Sequence, residues 1–132
     1  MNDFTEEAPL PNGKLTLRVI PQNADTNISG DISGGWVIRQ MDMAAEETAR
    51  AIAKGRVSMV ACDNTSFLSP IKTGMALCCY TKISEIGSSS IYVNVEVWSQ
   101  MGCDAERHKV CDSTFVYVAL DEAGRIRSVP KG

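Results

Sequence analysis

The chain has 132 residues, enough for one domain that removes roughly two thirds of its unfolded surface from water on folding. Thirteen basic against sixteen acidic side chains leave a net charge of -3, and no run of Lys or Arg forms a stripe able to neutralise many phosphates, so no nucleic-acid partner is expected. The amino terminus, MNDFTEEAPLPNG, is acidic and polar where a secretory leader would be basic and then apolar, and no apolar run is long enough to span a bilayer. The expectation is a soluble, cytoplasmic protein with no integral membrane segment.

Five cysteines stand at Cys62, Cys78, Cys79, Cys103 and Cys111, with no Cys-x-x-Cys pair and no histidine at zinc-ligand spacing. They read as reduced packing residues, and no metal is expected. Cys78 and Cys79 are neighbours in a strand pattern, so their side chains should point to opposite faces.

Residues 1–12 read as a flexible tail and 13–132 as a single domain. The first strand is KLTLRVI, with Leu15, Leu17 and Val19 on one face and Pro21 ending it. From Asn23 to Gly35 the chain is rich in Asn, Asp, Thr, Ser and Gly, the composition of a structured loop. From Trp36 to Lys54 a period of about 100° per residue gathers Val37, Ile38, Met41, Ala45, Ala49 and Ile52 on one side, and Gly55 is placed to close the helix. The remainder reads as strands: Arg56 to Asp63, with an irregular extension toward Leu68, then Met75 to Ile86, Ser90 to Gln100 and Lys109 to Leu120. In the third of these, Ile91, Val93, Val95 and Val97 share a face that the helix can bury. The opposite face, Tyr92, Asn94, Glu96 and Trp98, suits either a subunit contact or solvent.

Two features could carry chemistry. Gly34 and Gly35 stand where the first helical N–H groups lack partners and the dipole places about half a positive charge, which suits an oxyanion. Glycines there could equally serve only a tight turn. Asp42 borders the apolar face, where partial desolvation would favour work as a general base, unless it pairs with Arg39 three residues earlier. A G-x-S-x-G elbow is absent and the single histidine, His108, falls in a polar connection, which leaves little for a serine triad or histidine-based site.

The stretch NISGDISGGWVIRQMD, residues 27 to 42, resembles the signature N-x-x-G-D-I-F-G-G-W-x-x-x-x-M-D of hotdog-fold acyl-CoA thioesterases, the YciA-like group. GRVSMV after the helix, FLSPIKTG and IYVNVEVWSQ are similar to further motifs of that family, in the same order. Ser33 departs from its usual phenylalanine and Met75 from its usual aspartate, both bearing on the shape of the acyl pocket. The resemblance implies an α+β hotdog fold, one long central helix wrapped by a five- to six-stranded antiparallel sheet. It also implies hydrolysis of acyl-CoA at a homodimer interface, within a trimer of dimers. The family's catalytic acid falls on Asp42, acting as general base or nucleophile, and its asparagine, given by the partner subunit, on Asn27. Backbone amides of Gly34 and Gly35 would polarise the carbonyl. No cofactor is implied, CoA being part of the substrate, and Lys72, Ser89, Arg125 and Arg127 are candidates for its phosphates. A non-catalytic module that binds acyl-CoA or another apolar ligand is the alternative; a hotdog dehydratase would need a histidine that the helix lacks.

Overall fold

The computed structural model describes residues 10–100 and 106–131. Five strands and one long helix follow one another as β1 (Lys14–Val19), α1 (Gly34–Ala53), β2 (Val57–Phe67), β3 (Ala76–Ile86), β4 (Ser90–Gln100) and β5 (His108–Ala119), with a single 3-10 turn at Asn23–Asp25 before α1. All neighbouring strands are antiparallel, in the order β1-β3-β4-β5-β2, so β1 and β2 form the edges.

Helix α1 turns Val37, Met41, Ala44, Ala45, Ala49 and Ala53 inward, every third or fourth residue. They lie on a stripe formed by Ile91, Val93, Val95 and Val97 of β4, all fully buried, flanked by Phe115 and Tyr117 of β5 and Cys79 of β3. The stripe is the one expected from alternation in the sequence. On the other face of β4, Trp98 is also buried, its Nε1–H donating to Glu96 Oε1 at 2.9 Å, and Thr114 of β5 donates to Asn94 at 3.0 Å. This face is a polar network of the protomer itself. Among the described residues of the presumed tail, Asn12 is tied down, its N–H donating to Glu96 Oε1 at 3.1 Å; residues 1–9 and Cys103 lie outside the described residues.

Three local departures from the sequence expectation have physical causes. The register of β1 against β3 shifts between Leu15 and Leu17, which turns Leu15 out of the core face while Leu17 and Val19 stay packed against it. The helix starts at Gly34 rather than Trp36, because Ser33, in extended backbone, accepts the Trp36 N–H on its hydroxyl and acts as N-cap. At the other end the left-handed residue is Lys54 (φ 56), not Gly55. Gly55 follows at φ 157, a backbone conformation that L side chains rarely adopt, and a Cβ there would also sit 3.0 Å from an Arg127 Nη atom.

The expected irregularity in β2 is present, with register shifts between Met59 and Ala61 and between Asp63 and Ser66 around a left-handed Asn64. This edge strand and the residue after it leave Met59, Val60, Phe67 and Leu68 between 44% and 58% exposed. An unpaired edge strand with exposed apolar residues toward both ends is a template for pairing with another strand.

Since an L-residue pays a steric penalty in the left-handed region that glycine does not, Lys54→Gly is expected to stabilise the fold by up to about 1 kcal/mol. Chemical denaturation of both proteins checks this through the transition midpoint.

Candidate active site

The loop before α1 is built on Asn27. Its side-chain Oδ1 accepts the N–H groups of Ser29 (2.9 Å) and Asp31 (3.1 Å), and its backbone N–H donates to the Asp31 carbonyl. Gly30, with φ 83, supplies the left-handed turn inside this ring. The loop is then anchored to the segment before β3, through Ile32 N–H to the Ile71 carbonyl and a 2.7 Å ion pair between Lys72 and Asp31. The carboxamide NH2 of Asn27, on an exposed side chain, is left as an unused donor among the described residues.

At the helix start, Ser33 satisfies Trp36 N–H with its hydroxyl and Val37 N–H with its carbonyl. The N–H groups of Gly34 and Gly35 have no acceptor among the described residues, and both glycines are exposed. The space where a Gly35 side chain would stand is open, whereas that of Gly34 faces the Phe67 ring at 3.2 Å. Beside it lies an apolar cleft of about 330 Å³ lined by Ile32, Val37, Phe67, Leu68, Pro70 and Ile71. Donors with nothing to bond and an apolar wall next to them suit an oxygen attached to an acyl chain.

Asp42 lies half-buried on the flank of α1. It is not paired with Arg39; it accepts the phenol of Tyr117, whose Oη lies 2.5 Å from Oδ1 and 3.2 Å from the Asp42 carbonyl. Tyr117 is fully buried and stacks with Phe115 at a centroid distance of 6.5 Å. Burial, then the bond to Asp42 and its charge, raises the phenol well above the ordinary tyrosine range, so it stays protonated and donates. On the sheet it pairs with Met59 of β2 and Ile91 of β4. Tyr117 is the site residue that sequence reasoning missed. Its signal was available: it alternates with Phe115 and Ala119 on the buried face of β5, and a tyrosine turned into a core needs a partner for its hydroxyl.

The candidates for the CoA phosphates divide between the two ends of the helix. Lys72 is at the amino end, already paired to Asp31. At the carboxyl end, Ser89 lies in the β3–β4 turn, where its carbonyl accepts Ala119 N–H. Arg125 is exposed, with no side-chain partner among the described residues. Arg127 is committed to main-chain carbonyls, donating to Leu120 (2.9 Å), Ser128 (3.3 Å) and Ala53 (2.7 Å), and so ties the last turn of α1 to the C-terminal segment.

Cys62, Cys78, Cys79 and Cys111 are free. Burial pushes the thiols of Cys79 and Cys111 up to about 12, which leaves neither as a nucleophile. His108 is exposed at the first position of β5. No group of three or more His, Cys, Asp or Glu suited to a metal ion occurs among the described residues.

A helix cradled on an antiparallel sheet, with a carboxylate on its flank and open amides at its start, is the hotdog arrangement of a thioester-handling protein. The chain belongs to the thioesterase superfamily, whose family model matches residues 29–103. It is 40% identical over 123 residues to the acyl-CoA thioester hydrolase YciA of Salmonella typhimurium, covering 91% of this chain and 92% of that protein. The hexameric thioesterase y2039 from Yersinia pestis is 44% identical with a TM-score of 0.88, over 93% of this chain and all (100%) of that one. Cj0915, a hexameric hotdog fold thioesterase of Campylobacter jejuni, is 31% identical with a TM-score of 0.83, over 89% and 91% of the two chains.

Removing the three donors of Arg127 leaves carbonyls of Ala53 and Leu120 without them, so Arg127→Ala is expected to cost about 1–3 kcal/mol of stability. Arg125→Ala is expected to change stability by less than about 0.5 kcal/mol. Paired thermal melts separate the two.

Proposed function

We infer that the protein hydrolyses acyl-CoA to a free carboxylic acid and CoA, with Asp42 as general base. The observation that carries this reading is the Asp42 carboxylate itself: one oxygen is held by Tyr117 and the other is left for a water molecule. The names of the relatives, acyl-CoA thioester hydrolases and thioesterases at about this similarity across most of the chain, support it.

The rise of an α-helix fixes how the parts can meet. Gly35 and Asp42 are seven residues apart on one helix, about 10 Å along its axis at 1.5 Å per residue. Reacting and stabilising groups must come within about 3 Å of the same thioester. One protomer therefore offers Asn27 and the Gly34 and Gly35 amides, and Asp42 comes from the partner subunit. The exposed β2 edge supports such a contact. An isologous pairing of β2 with its copy covers Met59, Val60 and Phe67 and lays two helices side by side in opposite directions. The hexamers formed by the relatives support three such dimers per assembly.

In this site the thioester oxygen lies at the amides of Gly34 and Gly35, which hold the charge that develops as the carbon becomes tetrahedral. Asp42 takes a proton from water while the water oxygen bonds to the carbon. The intermediate collapses by breaking the carbon–sulfur bond, and Asp42 returns its proton to the departing sulfur, so that CoA leaves as its thiol and the base is regenerated. The Asn27 carboxamide orients the water or the thioester. The acyl chain enters the cleft beside Phe67, and the phosphates of CoA meet Arg125 and Ser89, with Lys72 and the spare N–H groups of Arg127 as further donors. A cytoplasmic location accords with the free cysteines and with the substrate.

General-base catalysis is worth about 10² to 10⁴ in rate, so Asp42→Asn is expected to lower turnover by that order with fold and assembly unchanged. Release of CoA followed by chromatography checks it; turnover close to that of the native protein removes Asp42 from the mechanism and leaves a binding role. Asn27→Ala is expected to lose less, about tenfold, again with assembly intact.

A further inference from the structure

We propose that Tyr117 is a positioning residue of this reaction, its phenol holding Oδ1 of Asp42 so that Oδ2 alone is presented to the attacking water. The proposal rests on the reading of Asp42 as the base.

Three observations carry it. The phenol has one proton and two acceptors within reach, and the carboxylate oxygen, at 2.5 Å, is much nearer than the Asp42 carbonyl at 3.2 Å. That carbonyl is engaged along the helix ladder, which leaves the carboxylate as the acceptor that lacks another donor among the described residues. Secondly, the ring cannot swing away. It is fully buried, stacked with Phe115 and set between Met59 and Ile91 on the adjoining strands. Thirdly, the charge interactions felt by the phenol come from Asp42 and Glu46 of α1 and from Cys62 of β2. No cation among them competes for the carboxylate.

A side chain carboxylate turns easily about its last torsion, and a rigid donor on one oxygen removes that freedom. Phenylalanine at 117 would keep the packing and delete only the donor.

The test is Tyr117→Phe, made in the native protein and in Asp42→Asn, with kcat and KM for an acyl-CoA measured on assembled protein. In the native background kcat is expected to fall roughly 10- to 100-fold with KM changed less than about twofold. In the Asp42→Asn background the same substitution is expected to cost nothing further. A native kcat overturns the proposal, as does an equal loss in both backgrounds, which would make Tyr117 independent of Asp42. Near-native turnover of Asp42→Asn alone would instead remove the base, a separate failure. Should Tyr117→Phe not assemble, 4-aminophenylalanine at position 117 keeps the shape and weakens the donor; kcat is expected to fall several-fold with KM unmoved, and a native kcat overturns the proposal.

Discussion

The contact between the small side chains of α1 and the aliphatic stripe of β4 is the interaction on which the rest of the structure depends. Ala44, Ala45, Ala49 and Ala53 are at most 1% exposed, and the Ile91, Val93, Val95 and Val97 beneath them are at 0%. Alanine on the inward face lets the helix backbone approach the sheet, and branched residues on the strand fill the space that remains. That short separation brings residue 42, one position along from the buried Met41, within hydrogen-bond reach of a hydroxyl on β5. Larger residues at 45 and 49 would lift the helix and part Asp42 from Tyr117.

With its packing fixed, the helix also fixes what a single chain cannot do. Its amino end offers open amides next to an apolar cleft, and its flank offers a carboxylate about 10 Å further along. In the proposed mechanism the two do not serve one carbonyl from the same helix. The protomer meanwhile leaves the β2 edge unpaired, with Met59, Val60 and Phe67 exposed, beside the strand that carries Tyr117. On that proposal a second copy of the chain would both complete the site and cover the edge.

Much of this was legible in the sequence because it is local. The helix follows from a period of 3.6, and the buried face of β4 from strict alternation. The loop at Asn27 follows from its turn-forming composition, and each element lies within a residue or two of its expected bounds. What was not legible depends on residues far apart. Tyr117 meets Asp42 across 75 positions, so nothing near Asp42 announces it, and Arg39, three residues away, was the nearer partner to consider. Arg127 looked like a free cation, but the C-terminal segment folds back against the end of α1 and gives its donors to carbonyls 74 positions away. Ser33 looked like a departure from a family pattern and is the helix cap, a role set by backbone geometry that a pattern of letters does not record. Leu15 fitted the alternation of β1, but a register shift that depends on β3 turns it outward.

That the site is shared between two protomers is tested most directly by complementation. Asp42→Asn and Asn27→Ala chains would be co-expressed under separate tags, purified through both, and compared with each parent in CoA release. In a mixed pair one of the two sites carries both substitutions and the other carries neither. Recovery to roughly a quarter of native turnover, well above the mean of the parents, is the expected result for random pairing. Activity no higher than that mean, in assemblies shown to contain both chains, would contradict a shared site and return all of the chemistry to a single protomer.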